Sequence, residues 1–382
     1  MTEKKIHRPM WDGAVGIIAQ IMLQGLPLDQ TLKSVYKKNP KWGSKDRRLI
    51  GQMVFDCVRY WRKYLAMSGH PWSDDTVWTK EHVTPVLTAW AQEHDYLEKV
   101  AGPALAFNDQ ESFPDWMAGE TSPEVLTALN EEAPIFLRAN TLQNSASTIG
   151  RILQDKGIAV EVMGDAIKVL DRAAFKKAAN EKLFPAGLFE VQDLGSQQIA
   201  PMLQAKANDR VLDACAGNGG KTLHLAQLMK NQGQITATDI SELKLYQLEA
   251  RCRDARFSIV RTRPAPIKDL IFDAVLLDVP CSGLGVIRRH PERKWQCTPA
   301  IIRDLVQVQK DLLESYKSTV RPGGALLYAT CTFVSAENQL QVKAFLERNP
   351  AWSLEEEKSF LSGPRGWDCF YAARLRHQVL PS

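Results

Sequence analysis

The stretch RVLDACAGNGGKT, residues 210–222, decides the fold that this sequence predicts. A short apolar strand candidate, 210–213, runs into a glycine-rich turn and then into an apolar helix that starts near Leu223. Glycines at such a turn let the backbone approach a ligand closely, and the helix N-terminus offers free N–H groups. The stretch therefore predicts a ligand-binding loop at the carboxyl edge of a parallel sheet.

Two phosphate-binding patterns fail on this loop. A Walker A loop requires glycine where Cys215 stands, and the pattern G-x-G-x-x-G, begun by Gly217 and Gly219, meets Thr222 at its third glycine. A second strand candidate ends in Asp239, whose carboxylate can accept both hydroxyls of a ribose. A glycine-rich loop followed by that acid, without a phosphate pattern, favours S-adenosylmethionine as the ligand.

Apolar strand candidates alternate with helical segments over the rest of this region, as is typical of parallel βαβ units. The candidates are 210–213, 234–238, 257–261, 273–278 and 324–329. We therefore predict an α/β fold with a doubly wound sheet that binds ligands at the carboxyl ends of its strands.

Upstream of this sheet the pattern changes twice. Residues 14–66 carry helical apolar spacing, whereas residues 135–195 alternate short strand candidates with one helix candidate. The short candidates are the strands 135–138, 159–162 and 167–170 and the helix 145–156. We predict three domains: 1–105, all helical; 106–198, a small α+β module; and 199–382, the α/β domain.

Length and composition exclude several classes of protein. The chain has 382 residues, 45% hydrophobic and 24% charged, which fits two or three folded domains and excludes a disordered or low-complexity chain. No apolar run reaches the roughly 18 residues of a membrane span, and the first residues lack a signal-peptide core, so we expect a cytoplasmic protein. Seven scattered cysteines without C-x-x-C predict neither a disulfide scaffold nor a metal site.

Positive charge is concentrated at the amino terminus. Residues 1–66 hold 13 Lys or Arg and 5 Asp or Glu, a net charge of +8, against +4 for the whole chain. The cations are interleaved with Tyr36 and Trp42, which suits contact with a nucleic-acid backbone. A solvated face of a helical bundle has the same composition, so both interpretations stay open.

Two of the cysteines follow strand candidates of the α/β domain. Asp278-Val279-Pro280-Cys281 follows one strand, and Thr330-Cys331-Thr332 follows another. Neighbouring parallel strands would bring both thiols to one pocket. The other cysteines are more simply explained as small buried apolar side chains.

A thiol beside a methyl donor suits one chemistry in particular. Carbon 5 of a pyrimidine is a poor nucleophile, but thiolate addition at carbon 6 makes it able to attack a methyl group. An acid such as Asp278 can hydrogen-bond the base edge at N3 or N4 and offset the developing charge. The base must leave its stack to enter such a pocket.

With these motifs the chain resembles the RNA cytosine-5 methyltransferases of the bacterial 16S rRNA methyltransferase B (RsmB/Sun) type, which are related to the NSUN enzymes. DVPCSGLGVIRRHPERKW, residues 278–295, is close to a family signature. Residues 44–48 onward resemble a NusB-like helical RNA-binding domain, and residues 134–140 and 189–197 resemble the segment that precedes the catalytic domain. The resemblance implies a Rossmann-like S-adenosylmethionine-dependent methyltransferase that forms 5-methylcytosine in structured RNA, most simply 16S ribosomal RNA.

The resemblance also implies a role for each matching residue. Cys331 is the expected nucleophile, Cys281 is expected to assist breakdown of the covalent adduct, and Asp278 lies near the base. The residues expected to hold the cofactor are Cys215, Ala216, Gly217, Asn218, Gly219, Gly220, Lys221, Asp239 and Asp278. The residues expected near RNA are Lys221, Arg288, Arg289 and His290, although the last three would also suit an ordinary surface loop. RNA is the implied partner, and no obligate protein partner is inferred.

One departure from the family pattern concerns the cofactor. The family usually has Asp or Asn after the third strand to meet the adenine amino group, and residues 258–264 offer neither. An RNA-binding or ribosome assembly factor that retains the fold without catalysis is therefore an alternative. A DNA methyltransferase is disfavoured because the sequence has no recognisable target-recognition insert.

Overall fold

The computed structural model describes residues 6–99, 103–267, 269–363 and 366–379. Contacts divide the chain into two compact units. The helical unit comprises Met1–Glu132 and Val286–Pro299, and the sheet unit comprises Ala133–Gly285 and Ala300–Ser382. The predicted domains 1–105, 106–198 and 199–382 divide the chain by composition and resemblance rather than by contact, so their boundaries stay a prediction.

Helices account for most of the first third of the chain and recur between the later strands. In the described residues, the α-helices are α1 (Arg8–Gln24), α2 (Leu28–Lys38), α3 (Ser44–Arg59), α4 (Trp61–Met67), α5 (Lys80–Glu93), α6 (Phe107–Glu111), α7 (Pro123–Asn130), α8 (Ala146–Asp155), α9 (Arg172–Asn180), α10 (Leu194–Gln197), α11 (Ile199–Met202), α12 (Gly220–Leu228), α13 (Glu242–Ala255), α14 (Arg293–Gln296), α15 (Pro299–Tyr316) and α16 (Gln339–Arg348). Short 3-10 helices are Asp115–Gly119, Leu284–Val286, Lys317–Thr319 and Ser335–Glu337.

All strands of the described residues lie in the sheet unit. They are β1 (Ile135–Ala139), β2 (Val160–Met163), β3 (Ala166–Val169), β4 (Phe189–Val191), β5 (Arg210–Asp213), β6 (Gln234–Asp239), β7 (Val260–Pro264), β8 (Phe272–Asp278), β9 (Val320–Thr330), β10 (Trp352–Phe360) and β11 (Phe370–His377).

The helical unit forms its core from the apolar faces of its longer helices. Helix α1 packs against α3 and α5 and buries Ile17, Ile18 and Ile21 completely. It ends at Gly25, whose φ of 68° lies in the left-handed region that glycine adopts without strain. The helical character predicted for residues 14–66 is confirmed, whereas the NusB-like identity stays a prediction. Within the described part of the chain, no helix combines the length and apolar character that a membrane span needs.

The larger sheet of the sheet unit has seven strands in the order β10-β11-β9-β8-β5-β6-β7. Five consecutive strands of this order are parallel to one another, namely β9, β8, β5, β6 and β7. Strands such as β5 and β8 are almost wholly buried because helices cover both sheet faces. The α/β class and the Rossmann-like sheet are therefore confirmed.

Two features of this sheet differ from the prediction. The third parallel strand is β7, which starts three residues later than the predicted 257–261. Strands β10 and β11 pair antiparallel at the β9 edge, where no strand is predicted. The sequence of β10, Trp-Ser-Leu-Glu-Glu-Glu-Lys-Ser-Phe, has mostly polar residues and lacks the alternation that identifies a strand.

The smaller sheet has the order β2-β3-β1-β4 and is antiparallel throughout. Helices α8 and α9 contribute Ile149, Leu153 and Phe175 to its core. The α+β character predicted for residues 135–195 is confirmed by this sheet. The predicted strands and helix lie within one residue of β1, β2, β3 and α8 at nearly every end.

Candidate active site

The glycine-rich loop after β5 has the backbone shape that only glycine adopts freely. Gly217 and Gly219 have φ values of 54° and 87°, both in the left-handed region. A Cβ atom on Gly219 would lie 2.1 Å from Leu248 Cδ1, so this position has no room for a side chain. Gly219 caps α12, whose first N–H groups therefore begin directly behind the loop.

Asp239 is fixed at the end of β6 by two backbone donors. Its Oδ2 accepts a hydrogen bond from Gly217 N at 2.9 Å, and its Oδ1 accepts one from Ser241 N at 2.8 Å. Lys244 Nζ lies 3.9 Å from Oδ1. Each carboxylate oxygen keeps acceptor capacity for a hydroxyl group, as the predicted contact with a ribose requires.

A cavity of about 410 Å³ opens beside this loop. Of the residues predicted to hold the cofactor, Cys215, Gly217, Asp239 and Asp278 line it. Ala216, Asn218, Gly219, Gly220 and Lys221 lie in the same loop and the first turn of α12. Burial raises the pKa of Cys215 to about 12, so this thiol is an inert wall of the cavity at neutral pH.

The rest of the cavity wall was not predicted. It comprises Ala214, Ile240, Lys244, Ala265, Pro266, Val279, Pro280, Val308, Leu312, Ser315 and Tyr316. These residues follow β5, β6, β7 and β8 or lie on α13 and α15, and their types are too ordinary to be singled out in one sequence. At the end of β7 the described wall is formed by Ala265 and Pro266.

Lys221 and Asp278 form an ion pair next to the cavity. Lys221 Nζ lies 2.6 Å from Asp278 Oδ2 and 5.5 Å from the centre of the Phe370 ring. Burial opposes the charged form of Lys221, but the charge and hydrogen bond of Asp278, with a smaller contribution from Cys331, raise its pKa. The lysine is therefore a cation at neutral pH, held between an acid, a thiol and an aromatic face.

The two predicted thiols meet at this edge of the sheet. Asp278 pairs with Ala329 in the parallel register of β8 and β9. Cys281 and Cys331 therefore follow the carboxyl ends of two paired strands, three and two residues after this pair. Their Sγ atoms lie 3.3 Å apart, and Cys331 N lies 3.4 Å from Cys281 Sγ. Gly285 N also donates to Cys331 O at 2.9 Å, which ties the two loops together.

The two sulfurs have different environments. The hydrogen bond with Cys331, then burial, then the charges of Cys331 and Glu337 raise the pKa of Cys281 well above its usual value. Cys281 therefore keeps its proton and can direct the S–H toward the Cys331 sulfur. Cys331 lies close enough to the Lys221 cation to interact with it electrostatically.

Asp213, the last residue of β5, is a buried acid that the sequence did not identify. Its Oδ2 accepts a hydrogen bond from Thr222 Oγ1 at 2.6 Å, and its Oδ1 has no hydrogen-bond partner. Burial raises the pKa of Asp213 to about 7, and the nearby charge of Asp278 adds to the shift. The group therefore titrates near neutral pH directly beneath the glycine-rich loop.

Arg138 of β1 joins the smaller sheet to α12. Its Nε donates to Gln192 Oε1 and its Nη1 to Gln227 Oε1, both at 2.7 Å. Arg138 is 2% exposed, and burial lowers its pKa to about 10. The sequence marked residues 134–140 and 189–197 by resemblance, but one sequence gives no signal that Arg138 and Gln192 meet.

The second half of the signature, from residue 286 onward, lies in the helical unit. Some of its cationic side chains are therefore buried rather than exposed. Arg288 was predicted to approach RNA, but its side chain is fully buried. Its guanidinium donates to Ala128 O at the end of α7, and Arg59 Nη2 donates to Arg288 O at 2.9 Å. The prediction for Arg288 is wrong in this conformation, because its charge satisfies backbone carbonyls inside the unit. Arg289 and His290 are partly exposed, and their contact with RNA stays a prediction.

Lys294 extends the same arrangement. Its Nζ donates to Arg59 O, Ser112 O and Asn130 Oδ1 at 2.8–2.9 Å and lies 4.0 Å from the centre of the Phe113 ring. Burial, with the Arg59 charge as the next cause, lowers the pKa of Lys294 well below its usual value. The segment 286–299 thus supplies buried hydrogen-bond donors, on Arg288 and Lys294, to acceptors of the helical unit.

A family model described as "16S rRNA methyltransferase RsmB/F" matches residues 200–375. The probable ribosomal RNA small subunit methyltransferase B of Synechocystis is 34% identical over 269 residues, which are 66% of this chain and 60% of that protein. The ribosomal RNA small subunit methyltransferase B of Pasteurella multocida is 35% identical over 293 residues, 71% of this chain and 64% of that protein. Both matches span less than two thirds of the relative's own length.

A solved structure titled "Crystal Structure of PH0851" has the same fold. It superposes with a TM-score of 0.75 and 23% identity, covering 97% of this chain and 100% of that chain. The agreement extends through both units and supports the fold alone.

Proposed function

Residues 200–375 match the model of the 16S rRNA methyltransferase RsmB/F family, and from that match we propose that the chain methylates carbon 5 of a cytosine in ribosomal RNA. One observation carries the proposal: two thiols 3.3 Å apart, beside the Lys221–Asp278 pair, at the edge of a sheet with a cofactor-sized cavity. A pyrimidine C5 methyltransferase needs a nucleophilic thiol and a second group for adduct breakdown within reach of one base.

The cavity fits S-adenosylmethionine. Asp239 would accept the ribose hydroxyls, the glycine-rich loop 215–221 would run along the cofactor, and Asp278 would lie at its methionine end. When bound there, the cofactor supplies an electrophilic methyl group. The apolar residues Ala265, Pro266, Val308 and Leu312 give the adenine ring a wall suited to a flat aromatic group.

Cys331 begins the reaction. Its thiolate adds to carbon 6 of the flipped cytosine, and the electron pair of the C5–C6 double bond moves so that carbon 5 becomes nucleophilic. Lys221 and Asp278 stand where they can hydrogen-bond the base edge and offset the charge that develops on it. The Cys281 S–H stabilises the Cys331 thiolate before the attack.

Cys281 ends the reaction. Once the Cys331 sulfur is bonded to carbon 6, it no longer holds the Cys281 hydrogen bond or carries a negative charge, two of the causes that raise the Cys281 pKa, so Cys281 can lose its proton to solvent. After the carbon 5 electron pair has bonded to the methyl group, the Cys281 thiolate takes the proton from carbon 5. The C5–H electron pair re-forms the double bond and the C6–S pair leaves with Cys331, which regenerates the thiolate.

The RNA partner is proposed from the family and from the charge of the helical unit. The net charge of +8 over residues 1–66 suits phosphate contacts, and Arg289 and His290 are the signature residues left for that role. We place the reaction in the cytoplasm, because two free thiols at this separation stay reduced in a reducing compartment. The proposal needs no obligate protein partner.

Trapping of the covalent adduct tests the proposal. Cys281→Ala, incubated with S-adenosylmethionine and small-subunit rRNA, should accumulate an RNA adduct that resists denaturant, whereas Cys331→Ala should form none and lose methyl transfer. Cys252→Ala, which removes a buried thiol on α13, is the control and should behave as wild type. No adduct with Cys281→Ala, together with activity in Cys331→Ala, would overturn the assigned roles.

Calorimetry with S-adenosylmethionine separates an enzyme from a binding factor. The proposed function requires cofactor binding that Asp239→Ala weakens. RNA binding by a chain that gives no heat with the cofactor would support the non-catalytic alternative.

A further inference from the structure

Glu337 is a buried carboxylate that touches the loop of the first thiol. It lies at the end of the 3-10 helix Ser335–Glu337 and is completely buried. Its Oε1 accepts hydrogen bonds from Ser282 N at 2.8 Å and from Gln309 Nε2 at 2.9 Å. Its Oε2 accepts a hydrogen bond from the Ser282 hydroxyl at 2.5 Å. The residue directly after Cys281 is therefore held by Glu337 at both its backbone and its side chain.

The next residue, Asn338, holds the loop of the second thiol. Its Oδ1 accepts a hydrogen bond from Thr330 Oγ1 at 2.5 Å, and its Nδ2 donates to Thr332 O at 3.0 Å. These are the residues on either side of Cys331. The Ser282 and Thr332 hydroxyls also lie 2.9 Å apart, so the two loops share one buried polar network. Two consecutive residues thus fix the backbone next to both sulfurs.

We propose that Glu337 is a positioning residue of this site, which holds the Cys281 loop against the Cys331 loop and so places Cys281 to remove the carbon 5 proton. The inference rests on the proposed function, since it gives a task to the second thiol. Glu337 acts through Ser282 and Cys281 and touches no reacting atom.

The charge of Glu337 carries the second part of this inference. The titratable groups around Cys281 are Cys331 after β9, Glu337, and Tyr328 on β9, whose hydroxyl donates to Glu337 O at 2.7 Å. Charge on Cys331 vanishes once its sulfur is bonded to the base, whereas the carboxylate of Glu337 stays. A negative charge disfavours the neighbouring thiolate and makes it a stronger base. Glu337 therefore helps to keep the proton on Cys281 until the Cys331 adduct has formed.

The lifetime of the adduct separates this role from a merely structural one. Glu337→Asp keeps the charge but draws the carboxylate back from Ser282, so Cys281 should lose its position, adduct breakdown should slow and the steady-state fraction of covalent RNA should rise about tenfold over wild type. A residue needed only for folding would lower adduct and product together. That parallel loss, or an unchanged adduct fraction, would overturn the proposal.

The pH dependence of thiol alkylation tests the charge without RNA or cofactor. In a Cys331→Ala background, mass spectrometry of the Cys281 peptide after iodoacetamide should show a midpoint about one pH unit lower with Glu337→Gln. Glu347→Gln, an exposed acid on α16, is the matched control and should leave the midpoint in place. An unmoved midpoint in Glu337→Gln, or an equal movement in the control, would contradict the role of the charge.

Two further variants keep the proposal testable if Glu337→Gln fails to fold. Glu337→Asp keeps the charge but shortens the side chain, so the alkylation midpoint should stay near that of wild type while methyl transfer slows. Ser282→Ala removes the hydroxyl that both loops share and should lower kcat with cofactor affinity unchanged. Full activity of Ser282→Ala would contradict the positioning role. If wild type forms neither adduct nor product, the proposed function fails, while the alkylation experiment still decides the effect of Glu337 on Cys281.

Discussion

The two halves of the signature 278–295 have opposite structural roles although they are continuous in sequence. Residues 278–285 belong to the sheet unit; Asp278 lines the cavity, and the Cys281 sulfur lies 3.3 Å from the Cys331 sulfur. Residues 286–299 belong to the helical unit and place Arg288, Lys294 and Trp295 among buried carbonyls. The comparison teaches that one continuous run of sequence can contribute both to a cavity wall and to the buried hydrogen bonds of another unit, and that only burial and acceptors tell the two roles apart.

The thiol site that the first half forms together with Cys331 should respond to substitution through chemistry. Cys331→Ala should lower methyl transfer by roughly 10⁴-fold or more, because the reaction then lacks its nucleophile, while the melting temperature stays near that of wild type. Methyl incorporation from labelled S-adenosylmethionine, measured beside thermal unfolding, checks both. A large loss of stability would mean that the thiol is part of the core instead.

The second half should respond through stability. Lys294→Met removes a donor from Arg59 O, Ser112 O and Asn130 Oδ1 and should destabilise the helical unit by about 3 kcal/mol. Every tryptophan except Trp352 and Trp367 lies in that unit, so urea unfolding followed by tryptophan fluorescence reports on it. Lys358→Met, an exposed lysine on β10, is the control. An unchanged unfolding midpoint in Lys294→Met would contradict a stabilising role for the buried hydrogen bonds of Lys294.

A pH effect should be confined to the sheet unit. Asp213 has a pKa of about 7 in the folded chain and 3.8 as its ordinary value, so between these values the unfolded state has lost a proton that the folded state keeps. Stability should therefore fall as pH rises through that window. Asp213→Asn should remove this loss and stabilise the chain by about 2 kcal/mol near pH 8 but not near pH 4. Thermal unfolding at both pH values checks it, and equal effects at the two would contradict the buried acid.

The smallest expected effect distinguishes two adjacent arginines of the signature, Arg288 and Arg289. Arg289→Ala should leave the unfolding midpoint in place and lower the salt dependence of RNA binding by about one unit of slope, as expected for one lost phosphate contact. Arg288→Ala should lower the unfolding midpoint and leave the salt dependence of RNA binding unchanged, because the Arg288 guanidinium lies inside the helical unit. RNA affinity measured over a range of salt concentrations tests both. A lower slope in Arg288→Ala with unchanged stability would restore the surface role that its sequence suggested.

The part of the fold set by short-range pattern could be predicted from sequence. The strand, glycine turn and helix at 210–228 are one continuous pattern, and a parallel register then brings Cys281 and Cys331 together from positions fifty residues apart. The antiparallel strand β10 was missed because its residues are mostly polar, and β7 was placed three residues early because apolar residues precede it.

The rest depends on tertiary acceptors that a sequence does not display. Arg288 and Arg289 are identical side chains in adjacent positions, yet the first meets Ala128 O inside the helical unit and the second is partly exposed. Arg138 and Glu337 are likewise ordinary charged residues until Gln192 and Gln227, or Ser282 and Gln309, are placed around them. Burial of a charge is decided by partners that are distant in the chain.

Identification of the cysteine that carries the base tests the central claim most directly. After incubation of Cys281→Ala with rRNA and S-adenosylmethionine, nuclease and protease digestion followed by mass spectrometry should find the nucleotide mass on the peptide that contains Cys331. A nucleotide on any other cysteine, or adduct formation that persists when Cys331 is also replaced by alanine, would contradict the account.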